Sequence, residues 1–231
     1  MGLKKIFSSS SFRYEKKFLV SQLSMHEVKF IIKNNPAMFS EIFCQRQVNN
    51  IYFDSHALVN YLDNIEGETK RRKIRVRWYG DLFGHISKPV LEIKVKNGLL
   101  GKKLSLPLKP FSIHQNMDFS EIVHLGILDN DVFDSRAVIP TLLNSYSRKY
   151  YLSCDGKFRI TLDDNQLFYN LHEQKSPKNR TTDNESIIIE LKYSQDEDSR
   201  SNYITSRLPF RVTKSSKYVT GVQKTSKKFI L

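Results

Sequence analysis

Lys73-Ile74-Arg75-Val76-Arg77-Trp78 is the stretch on which the fold turns. With the two-residue period of a strand, Lys73, Arg75 and Arg77 fall on one side and Ile74, Val76 and Trp78 on the other. Leu91-Glu92-Ile93-Lys94 repeats the design, with Glu92, Lys94 and Lys96 together. Arg159-Ile160-Thr161-Leu162-Asp163 and Ile189-Glu190-Leu191-Lys192 repeat it again. Either these charged faces look at water, as in most antiparallel sheets, or they line a polar interior whose outer wall is covered by helices. Two features favour the second. Single carboxylates are regularly placed among the cations, and the opposite faces are apolar enough to pack under helices.

Electrostatics limits what such an interior can hold. Two like charges about 6 Å apart at an effective dielectric near 20 repel by roughly 3 kcal/mol. An interior lined by several would be water-filled, and a polyanion would relieve it. Phosphate suits the planar fork of Arg and the point charge of Lys. Glu15, Glu92, Asp163 and Glu190 are either ligands for a divalent metal (Mn2+ or Mg2+) or salt-bridge partners of the cations.

Outward from these strands, 1–11 reads as a flexible basic tail and 12–231 as one domain. Phe12 to Val20 reads as a strand, then a capping box at Ser24 and Glu27 opens a helix running to Pro36. Val48 to Phe53 reads as a strand, and Asp54 as the N-cap of a helix closed by Gly67. Further strands are expected at 71–79, 89–96, 103–106, 146–153, 157–163 and 186–193. Residues 110–144 read as helical in pieces, with Pro140 opening a helix through Leu142 and Leu143. His172 to Glu185 reads as a mobile loop and Ser215 to about Lys224 as a last helix.

The chain has 231 residues and a formal charge of +13. That length supports a core without disulfides. Cys44 and Cys154 have neither zinc nor disulfide spacing and are expected to be buried packing residues, in a reducing, cytoplasmic setting. No apolar run approaches a membrane span and the start is too short for a signal peptide, so a membrane-protein partner would supply any membrane association. His26, His56, His85, His114, His124 and His172 share no spacing and are not read as ligands. Lys70-Arg71-Arg72-Lys73 allows a nucleic-acid reading, disfavoured because Trp78, Tyr79 and Phe168 point away from or flank the charged face. Gly98-Leu99-Leu100-Gly101-Lys102-Lys103 has the wrong spacing for a phosphate loop and reads as a hairpin turn.

From Phe12 to Gln223 the sequence resembles the VTC domain, the polyphosphate polymerase domain of the vacuolar transporter chaperone complex, within the triphosphate tunnel metalloenzyme fold. The resemblance rests on Arg13-Tyr14-Glu15-Lys16-Lys17-Phe18, Ile51-Tyr52-Phe53-Asp54, the strands at Lys73 to Gly80 and Leu91 to Lys94, and Tyr146-Ser147-Arg148. It continues through Arg159 to Asp163, Ile189 to Lys192 and Ser216-Lys217-Tyr218-Val219-Thr220-Gly221-Val222. It implies an α+β fold in which an antiparallel β-barrel of about eight strands forms a polar tunnel, with flanking helices and a C-terminal helix. It implies that Arg75, Arg77, Arg148 and Arg159 hold a transferred phosphate. Lys17, Lys94, Lys103, Lys192, Lys214, Ser215 and Lys217 would bind further phosphates, and Glu190, with Glu15 and Glu92, a metal. Hydrolytic tunnel enzymes begin with Glu-x-Glu-x-Lys, whereas this chain has Arg13-x-Glu15-x-Lys17, which favours phosphoryl transfer to polyphosphate over hydrolysis. ATP or another nucleotide triphosphate would be the donor. A tripolyphosphatase and a non-catalytic polyphosphate-binding module remain the alternatives.

Overall fold

The computed structural model describes residues 13–97, 100–124, 138–173, 176–178 and 180–226. The proposed tail at 1–11 and the first expected strand residue, Phe12, lie outside the described residues. The sheet order is β1 (Arg13–Val20), β11 (Ile187–Ser194), β9 (Arg159–Asn170), β8 (Ile139–Leu152), β2 (Ser40–Asp54), β3 (Lys70–Tyr79), β5 (Val90–Asn97) and β6 (Leu100–Pro107). A short ninth strand, β10 (Arg180–Asp183), pairs with β9, and every pairing is antiparallel.

The apolar faces are covered as the alternation requires. Phe18, Val20, Ile160, Leu162, Ile189 and Leu191 pack under Val28 and Ile32 of α1 (Met25–Lys33) and Ile204 of α4 (Asp198–Thr205). Ile51, Phe53, Ile74, Val76, Trp78, Leu91 and Ile93 pack under the hairpin of β4 (Gly84–Ile86) and β7 (Phe111–Ile113) and Ile122 of α3 (Glu121–His124). The capping box of α1 forms, Ser24 Oγ accepting from Glu27 N and Glu27 Oε2 from Ser24 N.

On the other face, α5 (Lys217–Thr225) lies against Tyr52, Leu142 and Phe168. Gly221 permits this approach. A Cβ there would fall 2.4 Å from Leu142 Cδ2 and 2.7 Å from Phe168 Cδ1. A bulge in β9 brings Phe168 to the same side as Asp163. Asn165 adopts φ 50° where two β9 residues oppose one on β8, and side-chain parity switches across it.

Four expectations are corrected. The barrel is not closed by hydrogen bonds, the sheet order running from β1 to β6, and the chain before α5 meets the free edge of β1, where Thr213 N donates to Lys17 O at 2.8 Å and Val212 bridges Phe18. Pro140, Leu142 and Leu143 are in β8, not a helix. Pro140 sits near the strand start opposite Phe53, beside a register irregularity between Tyr52 and Phe53, where a missing N–H is tolerated. The 172–185 segment contains β10. Asp54 is not the N-cap of α2 (Val59–Glu66), a position held by Leu58, but it caps from a distance by accepting from Asn60 N and Tyr61 N at 2.9 Å.

Candidate functional site

The charged residues of the alternating strands share the face against which α5 lies. On β5, Glu92 is only 5% exposed. It accepts from Arg75 Nε at 2.7 Å, pairs with Arg75 Nη2 at 2.5 Å and with Lys103, and lies 3.7 Å from Arg77 Nη1. Burial alone would raise its pKa, but Arg75, Arg77 and Lys103 outweigh burial and hold it well below the usual carboxylate range.

A second group joins β8, β9 and α5. Fully buried Asp163 accepts a two-pronged contact from Arg148, Nε at 2.5 Å and Nη2 at 2.6 Å, and another from Lys217 Nζ at 2.5 Å. Here too burial opposes ionisation, and Lys217 and Arg148 overcome it. A third group joins β1 and β11. Glu190 lies 3.0 Å from Lys192 Nζ, 3.6 Å from Lys17 Nζ and 3.9 Å from Arg148 Nη2, while Glu15 lies 3.0 Å from Lys17 Nζ and 3.8 Å from Lys192 Nζ.

Arg148 therefore links the second and third groups, and Tyr146 links the first and second. Arg77 Nη2 donates to Tyr146 Oη at 3.2 Å, and the same ring lies 5.2 Å from the Arg148 guanidinium carbon and 4.5 Å from Lys217 Nζ. At the start of α5, Lys73 Nζ donates to Ser216 Oγ at 2.8 Å and Lys17 Nζ to Ser215 O at 3.1 Å.

The face curls so that Lys17 of β1 and Lys73 of β3 both reach the start of α5. Burial, then Lys17, Lys94, Arg71 and Arg75, lowers Lys73 to about 7. Burial, then Arg75, lowers Lys94 to about 8, although Glu15 and Glu190 oppose this, and Lys192 adds to it. Lys94 of β5 feels charges on β1 and β11 only because the sheet brings its ends together. Nine cations (Lys17, Lys73, Arg75, Arg77, Lys94, Lys103, Arg148, Lys192, Lys217) thus meet four carboxylates (Glu15, Glu92, Asp163, Glu190). The N-terminus of α5 adds its positive dipole end. The unbalanced charge suits a polyanion.

Not every expected residue joins this group. Arg159 is across from Lys192 on the same face, but it is exposed at the beginning of β9, four residues before Asp163. Lys214 is exposed ahead of α5. Glu92 and Asp163 are engaged as salt-bridge partners. Glu15 and Glu190 stand together, both paired with Lys17 and Lys192, and are the residues that could hold a divalent cation beside phosphate. Among the described residues no three His, Cys, Asp or Glu side chains gather as a metal cluster. Lys73, Tyr146 and Ser216 were not singled out as site residues. Lys73 shares the two-residue period of Arg75 and could have been found, whereas Tyr146 and Ser216 carry no charge signal. Cys44 and Cys154 are exposed, not buried, the first on an irregular stretch of β2 and the second in the β8–β9 turn. Among the described residues no helix is long and apolar enough to cross a membrane.

A family model described as the VTC domain matches residues 12–226. Among curated proteins none matches the sequence. Two solved structures share the fold. A candidate adenylate cyclase from Vibrio parahaemolyticus superposes with a TM-score of 0.52 at 12% identity, covering 92% of this chain and 99% of its own. A candidate adenylate cyclase from Bacillus halodurans has a TM-score of 0.52 at 13% identity, covering 90% of this chain and 95% of its own.

Proposed function

The chain belongs to the VTC domain family, and on that premise we propose that its charged inner face binds a nucleotide triphosphate and transfers the γ-phosphoryl group to a polyphosphate chain. The observation that carries this reading is the surplus of cations on one face, nine against four carboxylates, with Lys73 pushed to about 7 by burial and its cationic neighbours. Arg75, Arg77 and Arg148 would hold the γ-phosphate, since their guanidinium groups are already oriented by Glu92, Asn50 and Asp163. Lys17, Lys73 and Lys94, with the first turn of α5, would hold the acceptor's terminal phosphate. Arg159, Lys192 and Lys214 would attract the chain at the rim.

A terminal oxygen of the acceptor attacks the γ-phosphorus, and the bond from γ-phosphorus to the β-bridging oxygen breaks. The diphosphate leaves with the electron pair, and no protein nucleophile is needed. Glu190 and Glu15 would hold a divalent cation, which when bound supplies neutralising charge to phosphate oxygens. The protein's own part is to align the reactants and stabilise charge in a preorganised site.

Purified protein incubated with ATP and Mn2+ is expected to give phosphate chains visible by gel and phosphorus NMR. Orthophosphate without chain growth would replace this reading by hydrolysis, and tight polyphosphate binding without turnover by a binding module. Absence of both product and phosphate-chain binding would overturn it.

A further inference from the structure

At the end of the inner face away from α5, three rings surround one guanidinium. Tyr79 continues the side of β3 that carries Arg75 and Arg77, and Tyr150 continues the side of β8 that carries Tyr146 and Arg148. Arg46 of β2 stands opposite Arg148 in the register. Its guanidinium carbon lies 4.7 Å from the Phe43 ring centre, 5.6 Å from that of Tyr150 and 5.7 Å from that of Tyr79. Phe43 and Tyr150 meet edge to face with centres 5.7 Å apart.

Rings that served only to brace Arg46 would be covered, yet Tyr79 is 51% and Phe43 47% exposed. Flat aromatic surface beside a cation therefore faces solvent at the mouth of a strongly basic cleft. Arg75 and Tyr79 are four residues apart on one strand, about 13 Å, a reach comparable to a triphosphate with its ribose. We propose that Phe43, Arg46, Tyr79 and Tyr150 form the nucleobase subsite of the incoming nucleotide. The base stacks on the exposed rings and Arg46 packs against it as a cation. Because every base has a π-face, the subsite accepts adenine and guanine alike. The inference rests on the reading that phosphates occupy Arg75, Arg77 and Arg148.

The test is calorimetric binding of the β,γ-imido analogue of ATP and of tripolyphosphate to the full chain, to Phe43→Ala/Tyr79→Ala and to Tyr79→Phe. The double variant is expected to lose about ten-fold or more in affinity for the analogue while binding tripolyphosphate as the unaltered chain does, which also shows that it folds. Tyr79→Phe keeps the stacking face and is expected to retain nucleotide affinity. Unchanged analogue binding in the double variant, or an equal loss for both ligands, would overturn the subsite. If the unaltered chain binds tripolyphosphate but not the analogue, the subsite alone fails. Should it bind neither, the phosphate reading fails and the subsite with it.

Discussion

Lys73 has an ammonium group that is costly to charge, because burial and neighbouring cations act in the same direction, and Lys94 is lowered as well although Glu15 and Glu190 offset part of the effect. In the unfolded chain both keep a proton up to about 10.5. Between the folded and unfolded values the unfolded state binds more protons, so this pair makes the ligand-free protein more stable as pH rises from about 7 towards 10.5. A phosphate chain reverses the balance by favouring the protonated lysines. Binding at pH 8 is therefore expected to take up protons, read as a dependence of the calorimetric enthalpy on buffer ionisation enthalpy, and Lys73→Met should reduce that uptake. The same substitution removes a buried charge that burial and its neighbours disfavour, so it should stabilise the free protein in denaturant titration while weakening tripolyphosphate binding. Asp163 behaves in the opposite way. It holds Arg148 and Lys217 in a buried setting, so Asp163→Ala leaves cations uncompensated and should cost about 3–5 kcal/mol of stability in the same titration.

The final helix, α5, is placed by a single small residue. In an isolated helix Gly221→Ala would gain about 1 kcal/mol from propensity. Here the added methyl would meet the fully buried Leu142 and Phe168 side chains, and overpacking of this kind costs about 1–3 kcal/mol. Overpacking wins, so Gly221→Ala should lower thermal stability and also weaken tripolyphosphate binding, because Ser216 and Lys217 move with the helix. β1, β3, β5 and β11 were readable in the sequence, since charge and hydrocarbon alternate cleanly in each. The first half of β8, read as a helix, was not, because Thr141 to Arg148 is buried on both faces and shows no two-residue contrast, while its second half was expected as the strand at 146–153. The N-terminal part of β2 was missed for another reason. Between Ser40 and Gln47 its pairing with β8 is interrupted by register irregularities that blur the period. That irregular stretch carries Phe43 and Arg46, so the aromatic mouth could not be read from pattern either. Arg75 and Arg77 were legible because each lies in a clear alternation, whereas Arg148 was named only through the resemblance at Tyr146-Ser147-Arg148. The salt-bridge roles of Glu92 and Asp163 were not, since sequence gives a carboxylate's face without its partner.

At the scale of the whole molecule, an incompletely closed sheet gathers its charges by curling and by the α5 segment that spans β1 and β3 through Lys17 and Lys73. A ligand that neutralises those charges should stabilise the native state alone. At tripolyphosphate concentrations about a hundred times its Kd the gain is about 2.7 kcal/mol, an upward Tm shift of about 5–10 °C for a chain of this size in a thermal melt. The shift should shrink with added salt as surface charges are screened. A crystal structure of the protein with tripolyphosphate is the most direct measurement. Phosphate density lined up between Arg75, Arg77, Arg148 and the first turn of α5 is the result we expect. Phosphates found only on the outer surface, around Lys70 and Arg72, with the inner face free of them, would contradict it.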